Sequence, residues 1–199
     1  MNHSPAAVLL AAVLLATLTG CGDGESDRVL STGSASPAAP SVAASADPEP
    51  TESFRAGTGT DTEEPTGGPL SVVAVRVANQ DGYDRVVFEL DGDVAGEPGW
   101  RVEYTDDPAQ QGSGEAVEVG GSAALAVFIT GVGYPMDTGA AEVTDDPALP
   151  SDLTVIEDVV LGATFEGQYE AFIGTAREAP FRVFRLSDPA RVVIDVQNS

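Results

Sequence analysis

Tyr83-Asp84-Arg85-Val86-Val87-Phe88-Glu89-Leu90 alternates in polarity, with Val86, Phe88 and Leu90 on one face of an extended chain and Tyr83, Arg85, Val87 and Glu89 on the other. That period of two predicts a strand with one dry face and one wet or ligand-facing one. The same period runs upstream through Val73, Val75 and Val77, with a turn over residues 79–82 between the two strands. It returns near the end in Val192, Ile194 and Val196, which alternate with Arg191, Val193 and Asp195. Working outward, further strands are predicted over 100–105, 116–119, 123–130, 155–165, 168–174, 181–186 and 191–197. Glu166-Gly167 joins one hairpin, and Ser187-Asp188-Pro189-Ala190 joins another, with proline placed where its fixed φ suits the turn. Residues 131–151 form a long Gly/Pro/Asp-rich excursion. No segment has a helical period, although 152–161 is ambiguous because Val and Ile crowd it. The expectation is an all-β fold, a two-sheet β-sandwich over residues 70–199.

The side chains available restrict the chemistry. The chain has 199 residues and a net charge of −23, from 32 acids against nine basic residues, all of them arginine. Lysine is absent, the sole histidine is His3 and the sole cysteine is Cys21. Ser-His-Asp and Cys-His mechanisms need an imidazole, phosphate loops and Schiff bases need a lysine, and structural zinc needs clustered Cys or His. No catalytic residue, metal site or cofactor is therefore expected, and the chain is read as no enzyme. A carboxylate-dependent glycosidase is the one enzymatic alternative, and it needs two acids about 5 to 9.5 Å apart in a cleft. The acidity also argues against nucleic acid as a partner.

Before the strands, the composition changes twice. Ala6-Ala7-Val8-Leu9-Leu10-Ala11-Ala12-Val13-Leu14-Leu15-Ala16-Thr17-Leu18 is too short to span a bilayer, which takes about 20 residues, and reads as a secretory signal over residues 1–20. Leu18-Thr19-Gly20-Cys21 resembles the bacterial lipobox, which implies lipid attachment, palmitate included, at Cys21. An ordinary signal peptide with an unpaired thiol and a signal anchor are the alternatives. Residues 21–69 are rich in Ser, Thr, Ala, Gly, Pro and acid, with Phe54 the single aromatic, and read as a disordered tether. Nine acids against Arg28 and Arg55 give the tether −7 and leave −16 for the domain. Its random-coil span of about 35 to 40 Å would hold the domain off the membrane.

Two segments carry a family resemblance. Asp81-Gly82-Tyr83-Asp84-Arg85-Val86-Val87-Phe88-Glu89-Leu90, together with Phe181-Arg182-Val183-Phe184-Arg185-Leu186 and Asp188-Pro189-Ala190-Arg191-Val192-Val193-Ile194-Asp195-Val196, resembles the AMIN-like domain found in lipoproteins of actinobacteria. Gly99-Trp100-Arg101-Val102-Glu103-Tyr104 and Phe165-Glu166-Gly167 extend the likeness over about residues 70 to 197. AMIN domains proper are β-sandwich modules that position amidases and secretin-type proteins in the envelope, some by binding peptidoglycan. The resemblance implies a non-catalytic, extracytoplasmic module on the outer face of the cell membrane. Its partner would be peptidoglycan, or an envelope protein for which it serves as a scaffold.

The candidate ligand-binding residues are Tyr83, Arg85, Trp100, Tyr104 and Arg191. Arginine forks suit carboxylates such as those of peptide stems, and the aromatic rings suit sugar faces. Each has a structural alternative: Arg85 pairs with Asp195 if their strands adjoin, and aromatic strand residues pack into cores. Asp91-Gly92-Asp93 begins like a calcium loop, but Ala95 and Val102 stand where that loop needs oxygen ligands. Asp106-Asp107-Pro108 and Asp145-Asp146-Pro147 read as solvated acidic turns or weak calcium sites.

Overall fold

The computed structural model describes residues 53–54 and 57–198. The expected leader, Cys21 and most of the tether lie outside the described residues. Among the described residues, eleven strands and one short helix follow in order. They are β1 (Asp61–Glu63), β2 (Thr66–Gly67), β3 (Ser71–Gln80), β4 (Tyr83–Asp91), β5 (Gly96–Glu97), β6 (Gly99–Thr105), β7 (Ala123–Thr130), α1 (Pro135–Thr138), β8 (Ile156–Phe165), β9 (Gln168–Thr175), β10 (Phe181–Leu186) and β11 (Ala190–Gln197). One sheet has the order β1-β6-β7-β9-β8, a second β10-β11-β4-β3, and β2-β5 form a small ladder. Every pairing between these strands is antiparallel.

The sandwich core follows from the alternation. Val86, Phe88 and Leu90 of β4 and Val192, Ile194 and Val196 of β11 line one side. Val102 of β6, Leu125, Val127 and Ile129 of β7, and Tyr169, Ala171 and Ile173 of β9 line the other. Each large apolar side chain so buried contributes about 1.5 to 3 kcal/mol. Hairpins close as the turn residues dictate: β3 and β4 join at Asp81-Gly82, where Gly82 adopts φ 91°, and β8 and β9 join at Glu166-Gly167, both at positive φ. The Asp188–Pro189 bond between β10 and β11 is cis.

Four expectations are corrected. Val72, not Val73, enters the core, because a bulge between Val72 and Ala74 shifts the phase before Val75 and Val77 resume packing inward. Residues 116–119 form no strand; Ala116 makes only an isolated bridge to Ala109. Their segment instead belongs to a loop lying over the outer face of the five-stranded sheet, where the Gly120 N–H donates to Asp158 at 2.8 Å and the Ser122 N–H to the Thr175 carbonyl at 2.8 Å. The folded unit begins ahead of residue 70, since Asp61, Thr62 and Glu63 pair with Val102, Arg101 and Trp100. Three residues without apolar alternation gave that strand no signal. Finally, the face of β4 expected to be wet is dry over much of its length: Tyr83, Arg85 and Val87 are buried, and Val87 joins Phe184 and Val193 in a second, smaller apolar cluster.

Candidate functional site

The outer face of the four-stranded sheet is built by register. Arg182 of β10 lies opposite Asp195 of β11, which lies opposite Arg85 of β4. Alternation puts all three on the side away from the core, in one row across three strands. Arg85 donates through Nε to Asp195 Oδ1 at 2.6 Å and through a terminal nitrogen to Oδ2 at 3.0 Å, a two-point fork. Arg182 donates through Nε to Oδ2 at 2.8 Å. The Asp195 carboxylate is fully buried and Arg85 is 4 % exposed. Charges this deep persist only when each has its partner.

Aromatic rings roof the row. The Arg85 guanidinium stands 5.3 Å from the Tyr83 ring and 5.5 Å from that of Phe184, and also donates to the Tyr83 hydroxyl at 3.2 Å. Arg182 lies 5.1 Å from Tyr83 and 4.3 Å from Phe54, whose ring is itself 5.7 Å from Tyr83. The sole aromatic of the expected tether is thus part of this stack. Such guanidinium–ring contacts contribute about 0.5 to 2 kcal/mol each, most when water is excluded.

The charge of this face sets it apart. Alternation along its strands presents Arg76, Arg85, Arg182 and Arg191 against Glu89, Asp91 and Asp195. Four of the domain's seven arginines therefore gather here, in a domain carrying −16. Arg76 is paired with Glu89 at 3.5 Å and remains half exposed. Arg191 donates to the backbone carbonyls of Pro189 and Ser187, each at 3.2 Å, and so braces the β10–β11 turn.

The five candidates do not converge. Tyr83, Arg85 and Arg191 share the outer face of the four-stranded sheet. Trp100 and Tyr104 sit on β6 in the opposite sheet and point inward. Trp100 is 6 % exposed, and its indole N–H donates to Asp61 Oδ1 at 3.0 Å. That hydrogen bond ties β1 to the core. The Tyr104 hydroxyl accepts from the Ala179 N–H at 2.9 Å and donates to the Ala179 carbonyl at 3.1 Å, while its ring meets Phe181 edge-on at 6.0 Å. Burial pushes its pKa above the ordinary tyrosine value, outweighing the hydrogen bond from Ala179. Trp100 is buried, whereas Tyr104 is half-buried and borders an open hollow with Thr105, Asp106, Pro108 and Val117.

Sequence reasoning missed Asp84, although it lies in the quoted strand. Its carboxylate is fully buried at the start of β4 and accepts from the N–H groups of Thr154, Val155 and Ile156 at 2.8, 2.6 and 2.9 Å, from the Thr154 hydroxyl at 3.2 Å and from the Asn79 amide at 2.9 Å. Burial opposes its ionisation, but these donors together outweigh it and hold the pKa below the ordinary aspartate value. Asp84 therefore fastens the start of β8, in one sheet, to β4 in the other. Only its place on the apolar face of an alternating strand could have flagged it.

A family model of the AMIN-like domain matches residues 70–198. No curated protein matches the chain.

Proposed function

The chain belongs to the AMIN-like domain family, and on that footing we propose that it is a non-catalytic envelope module. The lipid on Cys21 anchors it to the outer face of the cell membrane, and the folded domain binds peptidoglycan. The observation that carries this reading is the gathering of Arg76, Arg85, Arg182 and Arg191 on one face of an otherwise acidic domain. Guanidinium groups beside rings suit the carboxylates and flat amides of stem peptides. Arg85 and Arg182, locked to Asp195, set a rigid floor with Tyr83, while Arg76 and Arg191 stand nearer solvent. Trp100 and Tyr104 keep the frame.

Co-sedimentation with purified peptidoglycan tests the proposal. The full chain is expected in the pellet at low salt. Arg76→Glu with Arg191→Glu should reduce retention about tenfold, and raised salt should weaken it in the same direction. Wild-type chain that stays in the supernatant removes the peptidoglycan reading and leaves the scaffold for an envelope protein, which the same face would serve.

A further inference from the structure

A second feature lies on the opposite sheet, apart from the arginine face. Beside the loop over residues 106–122, a cleft of about 340 Å³ opens on β8 and β9, lined by Gln110, Gln111, Leu161, Thr164, Phe165 and Glu170. A bulge between Leu161 and Thr164 breaks the β8 ladder at this point. Gly162 sits within the bulge, where a Cβ would stand 2.9 Å from the Glu170 carbonyl oxygen. The local backbone is thus shaped around Glu170, which is only 4 % exposed.

Glu170 is poorly satisfied for so buried an acid. Among the described residues one donor, the Gln111 N–H, is shared between its two carboxylate oxygens at 3.2 Å each. A carboxylate offers about four acceptor positions. Burial raises the Glu170 pKa, and the single Gln111 hydrogen bond reverses only part of that rise. The Gln111 side-chain oxygen is also buried and has no partner among the described residues. Buried acceptors ordinarily find donors, and groups left short of them mark places where something else supplies the bond. At the rim Phe165 is 39 % exposed, an aromatic face beside the acceptors.

These lining groups select a ligand chemistry. Two acceptors short of donors, a carboxylate and an aromatic ring favour a compact cation with several N–H groups. A hydroxyl brings one donor and no charge. We propose that the cleft over Glu170 binds a primary ammonium group, with Glu170 and Gln111 accepting its hydrogen bonds and Phe165 flanking it. The surrounding charge of −16 draws such a cation in. This site is independent of the arginine face, because it lies on the other sheet.

The test is a calorimetric titration of the full chain with butylammonium and with its neutral twin, butanol. Butylammonium is expected to bind about tenfold more tightly than butanol, and Glu170→Gln, with an unchanged thermal midpoint or a higher one, to erase that preference. Phe165→Ala should weaken butylammonium about threefold while leaving the fold intact. Two sources of the amine are separated by titrating spermidine against an alanyl peptide with a free amine and its N-acetylated form. Tighter binding of the free-amine peptide assigns the site to envelope peptides, and tighter binding of spermidine to soluble polyamines. Equal binding of butylammonium and butanol, no binding of either, or an unchanged preference in Glu170→Gln overturns the proposal. Arg76→Glu with Arg191→Glu should leave this titration as it is, so failure of the peptidoglycan reading and failure of this one are distinguishable.

Discussion

Asp84 and Glu170 are both carboxylates withdrawn from water, at 0 % and 4 % exposure, yet their surroundings drive them in opposite directions. Asp84 is met by three backbone N–H groups, an amide and a hydroxyl, and its pKa lies below the ordinary aspartate value. Among the described residues Glu170 is met by one shared N–H, and its pKa lies above the ordinary glutamate value. Burial raises both; the number of donors decides the outcome. Asp195, too, has its partners in place, with two arginines closing around it. A buried acid with its donors in place clamps strands together, and one short of donors beside open space is poised to take them from a ligand.

The contrast can be broken first at Asp195. Asp195→Ala leaves Arg85 and Arg182 without that carboxylate and should cost about 3 to 5 kcal/mol in a denaturant titration, a large part of a typical domain's stability. A loss below about 1 kcal/mol would show that the row is not a structural clamp. Asp84→Asn keeps the shape but weakens charge-assisted hydrogen bonds, for an expected loss of about 2 kcal/mol near neutral pH. Its pH dependence carries a sign. The folded-state pKa is depressed, so the stabilisation is complete above the unfolded aspartate value and is lost as pH falls through the folded one. Asp84→Asn should therefore flatten the acid limb of the stability curve. Phe54→Ala removes one ring from the stack on Arg182 and should cost about 1 kcal/mol. The smallest effect has the opposite direction. Glu170 has a raised pKa, so its ionised form strains the fold above that pKa, and Glu170→Gln should stabilise the protein at neutral pH by under about 1 kcal/mol.

The strands were legible wherever side chains alternate between core and outside. Val86, Phe88 and Leu90, and Val192, Ile194 and Val196, face the core as their period of two requires. The Arg85–Asp195 pairing was legible as one of two readings, because it follows once β4 and β11 adjoin. Periodicity cannot report what covers a face, so Tyr83 and Val87 looked wet until the second cluster and Phe54 were placed over them. Nor does it see a bulge, which is how Val72 displaced Val73. Trp100 had two readings, stacking on a sugar or packing into the core; its ring lies in the core with its N–H held by a strand of three residues. Asp84 and Glu170 were invisible as a pair because their difference lies in donors from residues 154–156 and from Gln111, which only the fold brings to them.

The rule that donor count separates a clamping acid from a ligand-ready one is tested most directly by following the side-chain carboxyl carbons of Asp84 and Glu170 by NMR across a pH titration of the full chain. The account predicts that Asp84 titrates below, and Glu170 above, the ordinary values for their residue types, and that butylammonium lowers the Glu170 midpoint without moving that of Asp84. A Glu170 carboxyl titrating at or below the ordinary glutamate value, and unmoved by the amine, would contradict it.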